Sequence, residues 1–265
     1  MKLLNTVLEC NKKNRACFIS YVTAGDPNLR YSSKILETLA SNGVDIIELG
    51  IPFSDPISDG PTIQRATERS LKNNTNIDDA LGLVKKFRLK HKTPIILFGY
   101  FNPFLQYGLK KIMKSIKKSG ADGVLIVDLP PEEAEETQRA VNEAGIELVY
   151  LLAPTSTKER IDIISKLSNS FIYLVSVTGV TGARKNLNVN LKKFIEKVKR
   201  KTKKPVCVGF GISEPGHVEV LKKQSNGIII GSAIIKIIED NLLNKPIINK
   251  KIASFVKKIK KSTIY

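Results

Sequence analysis

The feature that most constrains the fold is a series of short apolar runs, rich in β-branched residues, each followed by a helical pattern. The runs do not alternate between apolar and polar residues, which is typical of parallel strands buried on both faces. Alternation of such strands with helices predicts right-handed βαβ crossovers. The eight runs cover residues 17–22, 44–49, 94–98, 123–127, 146–151, 171–175, 205–208 and 227–230.

Amphipathic segments lie between these runs and predict helices packed around them. A further short amphipathic helix is expected at the N-terminus, over residues 1–9. The last segment, residues 247–259, places apolar side chains on one helical face and most of its lysines on the other, which predicts an outer helix with a basic, solvated face. The main segments between the runs cover residues 32–41, 78–89, 109–118, 132–143, 158–167 and 191–201.

Eight strand–helix units without a linker-like stretch predict one α/β domain over residues 1–265, a single (β/α)8 TIM barrel with an extra N-terminal helix. The alternative is an open, doubly wound sheet. The number eight and the lack of an early GxGxxG after the first run favour the barrel. Every apolar run is shorter than the ~18 residues that a membrane span requires, so no membrane partner is expected.

The chain carries a formal charge of +18, from 43 Lys+Arg against 25 Asp+Glu, which raises nucleic acid as a partner. Most of the excess lies in residues 185–265. Only 9 of the 43 basic residues are Arg and there is no Trp, so groups that read bases or stack on them are sparse. A solvated lysine face is therefore the favoured interpretation, and no nucleic-acid partner is expected.

The three cysteines, Cys10, Cys17 and Cys207, are odd in number and form no CxxC pair. A disulfide framework and a structural zinc site are therefore not expected. Reduced thiols fit an intracellular compartment, cytoplasmic or, for an organelle-encoded chain, the plastid stroma.

Carboxylates collect where the second run ends. In a (β/α)8 barrel the active site is built from the loops after the carboxyl ends of the strands. Glu48 lies in the last part of an apolar run, and Asp55 and Asp59 follow in a Pro-stiffened loop. Each Asp alone is better explained as a cap of a turn or of the helix expected near Thr62. Glu48 and Asp59 together favour acid–base chemistry, because partial desolvation raises the pKa of a carboxyl toward that of a general acid.

The last three runs end in Gly-rich loops. Gly209 and Gly211 follow the seventh run, and Gly231 and Ser232 follow the eighth at the start of an expected helix. Glycine lets backbone N–H groups approach an anion closely, and the helix adds its positive end. This pattern predicts a phosphate site. The loop 176–186 before it is a candidate for closing over a substrate, or else a surface loop.

Aromatic residues also fall at the ends of the runs and predict a pocket for a flat apolar group. They are Tyr21, Phe98, Tyr100, Tyr173 and Phe210. The residues thus predict a phosphorylated substrate with an aromatic or apolar portion, processed by two carboxyls without a metal, a cofactor or a covalent nucleophile. HExxH, GxSxG and His/Cys clusters are missing from the sequence, and so are lysines at the inner strand ends, which disfavours a Schiff-base aldolase.

Six stretches resemble the tryptophan synthase alpha chain family, in order and over nearly the whole chain. The most specific are Glu48-Leu-Gly-Ile-Pro-Phe-Ser-Asp-Pro-Ile-Ser-Asp-Gly-Pro-Thr-Ile-Gln and Val175-Ser-Val-Thr-Gly-Val-Thr-Gly-Ala-Arg. The others cover residues 21–27, 128–133, 152–156 and 209–213. One position and one segment depart from the pattern: Tyr21 stands where the family often has Phe, and the segment 101–108 differs from some members.

The resemblance implies retro-aldol cleavage of indole-3-glycerol phosphate to indole and D-glyceraldehyde 3-phosphate. Glu48 matches the principal acid/base, and Asp59 matches the carboxylate that binds the indole N–H and stabilises the cationic tautomer. Thr181 matches the residue that holds Asp59 in the closed state. Positions matching the phosphate site are Gly182, Gly211, Gly231 and Ser232, and positions matching pocket residues near the substrate are Tyr100 and Tyr173.

The resemblance also implies a partner, a pyridoxal-phosphate beta chain that receives indole through a tunnel in an α2β2 heterotetramer. Pro52, Asp55 and Asn102 lie on loops matching the contact face. Three alternatives stay open at this point: a stand-alone indole-3-glycerol phosphate lyase, another phosphate-binding barrel enzyme, and a basic protein that binds nucleic acid or anionic surfaces. The last leaves the carboxyls at the strand ends unexplained.

Overall fold

Eight parallel strands close into a barrel in the computed structural model, in the order β1 to β8 with β8 paired to β1. The structure describes residues 1–175, 184–209 and 211–265, without the side chains of residues 184–190. The closed sheet confirms the predicted (β/α)8 barrel over the open sheet. That residues 1–265 form a single domain stays a prediction.

The observed strands agree with the predicted runs to within two residues at each end. β2 begins two residues later than predicted because Val44 N–H still donates to Leu39 O of the preceding helix, at 3.1 Å. The strands are β1 Cys17–Thr23, β2 Ile46–Gly50, β3 Ile95–Gly99, β4 Gly123–Ile126, β5 Glu147–Leu152, β6 Ile172–Val175, β7 Val206–Gly209 and β8 Gly227–Ile230.

The helices follow the predicted segments with some shifted ends. The prediction of one helix over residues 132–143 is wrong at its start, where Pro131–Glu133 forms a 3-10 turn before the α-helix begins at Glu135. The helices are α1 Lys2–Lys12, α2 Leu29–Ser41, α3 Pro61–Lys72, α4 Ile77–Arg88, α5 Phe101–Tyr107, α6 Leu109–Ser119, α7 Glu135–Ala144, α8 Lys158–Leu167, α9 Arg184–Lys201, α10 Pro215–Leu221, α11 Ser232–Glu239 and α12 Pro246–Ser262.

The interior of the barrel is filled by alternate strand residues together with one face of α1. Leu3, Val7 and Cys10 share that face because they lie about one helical turn apart, and all three are buried. The strand residues packed with them are Cys17, Ile19, Ile46, Ile96, Leu125, Val149, Phe171, Cys207 and Ile229. A second, larger core lies between the sheet and the outer helices. Because α1 covers the amino end of the barrel, the interior is left to open at the carboxyl end.

A buried carboxylate on β5 holds α1 in this position. Glu147 Oε1 accepts the N–H of Leu3 at 2.7 Å, and its Oε2 accepts the N–H of Leu4 at 3.0 Å. These N–H groups belong to the first turn of α1, where a helix has no internal partners for them. A carboxylate there also interacts favourably with the positive end of the helix.

We expect Glu147→Gln to lower the free energy of unfolding by about 1–3 kcal/mol, because one accepting oxygen becomes an NH₂ group that faces a buried N–H. Urea denaturation measures the change. The matched control is Glu143→Gln on α7, an exposed position, where the change is expected to stay within about 0.5 kcal/mol. Equal effects of the two substitutions would contradict a capping role for Glu147.

The outermost helix, α12, confirms the predicted division between an apolar and a basic face. Its buried residues are Ile248, Ile252, Val256 and Ile259. Most of its lysines are exposed; Lys260 is half-buried and donates to Asp45 at 2.7 Å. Among the helices in the described ranges, none combines the length and the apolar character that crossing a bilayer requires.

Candidate active site

A cavity of about 1420 Å³ opens at the carboxyl end of the barrel. Side chains alternate along a strand, so the alternation that buries Ile46 in the interior brings Glu48 to the cavity floor. The same alternation carries Tyr21 from β1 to this level, in register with Glu48. The strand residues that line the cavity are Tyr21, Glu48, Phe98, Ile126, Tyr150, Leu151, Tyr173, Val175, Gly209 and Ile229, and Val127 lines it directly after β4.

Glu48 is a fully buried carboxyl, 0% exposed. Within residues 1–175, 184–209 and 211–265, neither of its oxygens has a hydrogen-bond partner. Burial disfavours the charged form and raises the pKa of Glu48 to about 8. At neutral pH the group is therefore mostly protonated, a neutral acid that faces an open cavity.

The raised pKa of Glu48 predicts a pH-dependent effect of Glu48→Gln on stability. Between about pH 4.5 and pH 8 the unfolded chain has lost this proton and the folded chain keeps it, so the wild type loses stability as pH rises through that window. Gln does not ionise. We therefore expect the unfolding free energy of the variant, relative to wild type, to increase by up to about 1.4 kcal/mol per pH unit in that window.

Urea denaturation at several pH values between about 5 and 8 measures this difference. Contributions from other groups, including Asp59, are common to both proteins and cancel. Parallel curves for Glu48→Gln and wild type would show that Glu48 is not protonated in the folded chain at neutral pH.

Asp59 lies on the loop between β2 and α3 and also lines the cavity. Its backbone is held from both sides, because Asp59 N–H donates to Pro56 O at 3.0 Å and Gln64 Nε2 donates to Asp59 O at 2.9 Å. Burial raises the pKa of Asp59 to about 6, and a hydrogen bond from Tyr100 opposes part of that rise. At neutral pH Asp59 is thus mostly ionised while Glu48 is mostly protonated.

Tyr100 lies against the loop that carries Asp59. Its hydroxyl accepts the N–H of Ser58 at 3.1 Å, and its ring packs on Phe53 with the centroids 5.2 Å apart. Burial, followed by the charge of Asp59, raises the pKa of Tyr100 to about 12, so the phenol stays neutral. The Tyr100 hydroxyl thus bonds both to Ser58 and to Asp59 of this loop.

Tyr21 and Tyr173 bring two phenol groups close to the carboxyls. Burial raises the pKa of both, and the charges of Asp59 and Glu48 raise them further, which reflects how close the four groups are. The ring of Tyr21 packs edge-to-face on Phe98, with the centroids 5.1 Å apart. The aromatic wall expected from the strand ends is thus formed by these three residues.

Glycine makes room for these phenols. A Cβ added at Gly209 would lie 2.6 Å from the Tyr173 hydroxyl, and one at Gly50 would collide with the Tyr21 hydroxyl. Such approaches are too close for any other residue type, so the glycines at the ends of β2 and β7 are needed to seat the two rings.

One side of the cavity suits an anion. Gly211 adopts a left-handed conformation with φ of 61° after β7, and Gly231 and Ser232 line the cavity where α11 begins. The backbone N–H groups at a helix start and its positive end favour negative charge. Three of the expected residues, Thr181, Gly182 and Phe210, lie outside the described residues, as does most of the loop 176–186.

The cavity also has residues that the sequence did not single out. Arg160 on α8 donates to both carboxylate oxygens of Glu132 at 3.1 Å, and both residues line its outer part. His217 on α10 lines it too and accepts the N–H of Ser213 through Nδ1 at 3.3 Å. Arg160 and His217 lie on outer helices. In the sequence pattern of such a helix, a polar residue that lines a cavity looks the same as one that faces solvent.

Comparison with known proteins identifies the family. The family model described as tryptophan synthase alpha chain matches residues 7–264. The chain is 43% identical over 242 residues to the tryptophan synthase alpha chain of Solibacter usitatus, covering 91% of each chain. It is 43% identical over 240 residues to that of Arabidopsis thaliana, covering 90% of this chain and 87% of that one.

Solved structures agree. Tryptophan synthase subunit alpha from Legionella pneumophila matches with a TM-score of 0.92 and 34% identity, over 99% of this chain and 98% of that one. A chain of Mycobacterium tuberculosis tryptophan synthase matches with a TM-score of 0.91 and 30% identity, over 100% of this chain and 98% of that one. This chain therefore belongs to the tryptophan synthase alpha chain family and is an enzyme of tryptophan synthesis.

Proposed function

We propose that the chain cleaves indole-3-glycerol phosphate to indole and D-glyceraldehyde 3-phosphate, with Glu48 and Asp59 as the catalytic pair. One observation carries the proposal: two carboxyls line the same cavity, and burial raises the pKa of Glu48 to about 8 and that of Asp59 to about 6. One group is thus able to give a proton while the other stays ionised. Family membership supports the substrate.

Cleavage of the carbon–carbon bond requires the indole ring to take up the electron pair of that bond. Protonation of the ring carbon that bears the glycerol chain, by Glu48, makes the ring an electron acceptor with an iminium-like nitrogen. Asp59, as a carboxylate, accepts the indole N–H and stabilises the positive charge that develops there. These two roles require the protonation states that the two environments favour near neutral pH.

The second half of the reaction returns the proton. The glycerol hydroxyl next to the breaking bond loses its proton to Glu48, now a carboxylate, and its oxygen becomes the aldehyde carbonyl. The electron pair of the broken bond restores the aromatic ring, and indole is released. Glu48 ends protonated, as it began, so the cycle needs no cofactor.

The remaining cavity residues suit the two ends of this substrate. Tyr21, Phe98 and Tyr173 form an apolar, aromatic wall for the indole ring. Gly211, Gly231 and Ser232 offer backbone N–H groups to the phosphate. By resemblance, Gly182 completes the phosphate side, Tyr100 lies near the substrate and Thr181 holds Asp59. Phe210 is proposed for the apolar pocket, with the other strand-end aromatics.

A beta chain is proposed as the partner, in an α2β2 assembly to which indole is passed. The loop between β2 and α3 supports this, because it exposes Asp55 and an apolar side chain, Ile57, which is 85% exposed. Asn102 at the start of α5 is exposed near the same end of the barrel. Pro52, in the same β2–α3 loop, is buried. A single exposed apolar residue is ordinary on a protein surface, so the proposal rests on the family resemblance, to which Ile57 adds an apolar side chain on the matching loop.

The test is release of indole from indole-3-glycerol phosphate by the purified chain, with and without a beta chain. Indole and glyceraldehyde 3-phosphate in equal amounts, with faster turnover when a beta chain is added, are the expected results. Fast turnover that a beta chain does not change would favour a stand-alone lyase. Lack of indole under both conditions would overturn the proposal and favour another phosphate-binding barrel enzyme.

A further inference from the structure

A second group of reactive side chains lies at the amino end of the barrel, opposite the candidate active site. Cys10 is in the last turn of α1, and Cys17 is the first residue of β1. Their sulfur atoms and a carboxylate oxygen of Asp45 all lie within 4.8 Å of one another. The two thiols are seven residues apart in the sequence and face each other because α1 folds under the barrel.

The charges around the pair disfavour a metal ion. Arg15 donates to both carboxylate oxygens of Asp45, at 2.6 and 2.9 Å, and Lys260 donates to one of them at 2.7 Å. The N–H of Phe18 adds a further bond to Asp45 at 2.9 Å. The carboxylate is thus occupied by two cations, which would repel a metal ion. For the Cys10 thiol, burial and the charge of Asp45 raise the pKa, and Arg15 and Lys260 oppose that rise.

The two thiols differ in acidity. The neighbouring Cys17 thiol lowers the pKa of Cys10, because its S–H stabilises the Cys10 thiolate. Burial raises the pKa of Cys17. Cys10 is therefore the better nucleophile, and Cys17 is the thiol that keeps its proton.

Cys10 is buried, 2% exposed, yet it is the thiol that borders an open cavity. It lines a cavity of about 460 Å³ at the amino end of the barrel, together with Lys13, Arg15 and Asp45. The third thiol, Cys207, is fully buried inside the barrel, next to Gly227. Burial raises the pKa of the Cys207 thiol well above its usual value, so the cavity beside Cys10 and the opposite pKa shifts both distinguish Cys10 from Cys207.

We propose that a hydroperoxide converts Cys10 and Cys17 into a disulfide that ties the C-terminal end of α1 to the start of β1. The Cys10 thiolate attacks the peroxide, the O–O bond breaks, and Cys10 becomes a sulfenic acid; the hydroxide or alkoxide that leaves takes a proton from solvent and departs as water or an alcohol. The sulfur of Cys17 then attacks the sulfenic sulfur, the S–O bond breaks, and the Cys17 proton leaves with the hydroxide as water. Two thiols are oxidised by two electrons in total, and one peroxide is reduced.

The distance between the sulfurs is small enough for this step. They must close from at most 4.8 Å to about 2.05 Å. Rotation about Cα–Cβ of Cys10 and a small shift of the last helical turn supply the movement. Glu147 holds the first turn of α1, so we expect the movement on oxidation to stay within the last turn of the helix.

The test treats the intact protein with hydrogen peroxide, alkylates the remaining thiols after unfolding, and analyses tryptic peptides by mass spectrometry. Trypsin cleaves after Lys12, Lys13 and Arg15, so the disulfide joins two separate peptides. We expect a linked pair about 2 Da lighter than its two free peptides, which dithiothreitol separates. Cys207 is expected to be recovered alkylated.

Three variants sharpen the result. Cys17→Ser is expected to stop at a sulfenic acid on Cys10 that dimedone traps, Cys10→Ser is expected to protect Cys17, and Cys207→Ser is expected to leave the disulfide unchanged. Hydrogen exchange of the α1 amides is expected to slow by about tenfold on oxidation of the wild type. The proposal would be overturned if the linked peptides are not found in wild type and Cys207→Ser, or if Cys207 is oxidised as fast as Cys10. Both outcomes can be read even if the variants at the buried Cys10 and Cys17 do not fold.

Discussion

Glu48→Gln is expected to lower kcat for cleavage of indole-3-glycerol phosphate by about 10²–10⁴-fold, the usual contribution of a positioned general acid–base group. Gln has nearly the same shape and hydrogen-bonding reach but cannot give a proton to the ring carbon or accept one from the glycerol hydroxyl. Because binding of the phosphate and the ring is left intact, KM is expected to change by no more than about threefold. Steady-state indole release measures both constants.

The matched control is Glu147→Gln, the same substitution at a buried carboxyl on the opposite end of the barrel. This variant is expected to keep kcat within about twofold of wild type at temperatures where it is folded. Circular dichroism verifies the fold of both variants. Turnover by Glu48→Gln close to that of wild type would remove Glu48 from the proposed mechanism.

The pH profile of kcat/KM gives an independent reading of the same two groups. Activity is expected to rise as Asp59 ionises with a pKa of about 6 and to fall as Glu48 loses its proton with a pKa of about 8. The substrate phosphate has its second ionisation near the lower value, so the upper limb is the diagnostic one. In Glu48→Gln the residual activity is expected to lose that upper limb.

Much of this arrangement follows from the sequence. Fully apolar runs locate the strands to within two residues, and the period of two along β2 places Glu48 on the same face as Ile46, toward the interior. Closure of the barrel then brings the ends of all eight strands to one cavity. The carboxyl pair, the aromatic wall and the glycines near α11 are therefore predictable from local pattern and fold class together.

Contacts that depend on where a loop or a helix comes to rest are not predictable in this way. The position of Tyr100 against Ser58 depends on how the β2–α3 loop packs on the start of α5. The approach of Cys10 to Cys17 depends on α1 lying under the barrel, which the amphipathic pattern of α1 does not specify. Arg160 and His217 reach the cavity from helices whose patterns indicate only a solvated face. Period and propensity determine which side of an element is buried, not which distant element covers it.

Asp59→Asn is expected to lower kcat/KM for the same reaction by about 10²–10³-fold, the loss found when one preorganised group that stabilises a transition-state charge is removed. Asn keeps an oxygen that accepts the indole N–H, and it fits the same loop, in which Gln64 holds the backbone of residue 59. What it lacks is the negative charge opposite a nitrogen that becomes cationic. Indole release at saturating and at low substrate measures the effect, and Asp78→Asn, at an exposed position on α4, is the control expected to stay within about twofold of wild type.

Glu48→Gln and Asp59→Asn are expected to differ in the pH dependence of their residual activity, which separates an acid–base role from a charge-stabilising one. Asp59→Asn is expected to keep the fall in activity near pH 8, because Glu48 still titrates there, while losing the part of the lower limb that belongs to Asp59. Because both groups act on one transition state, the double variant is expected to lose much less than the product of the two single losses. Strictly multiplicative losses would mean that the two carboxyls contribute independently, and the joint role proposed for them would be wrong.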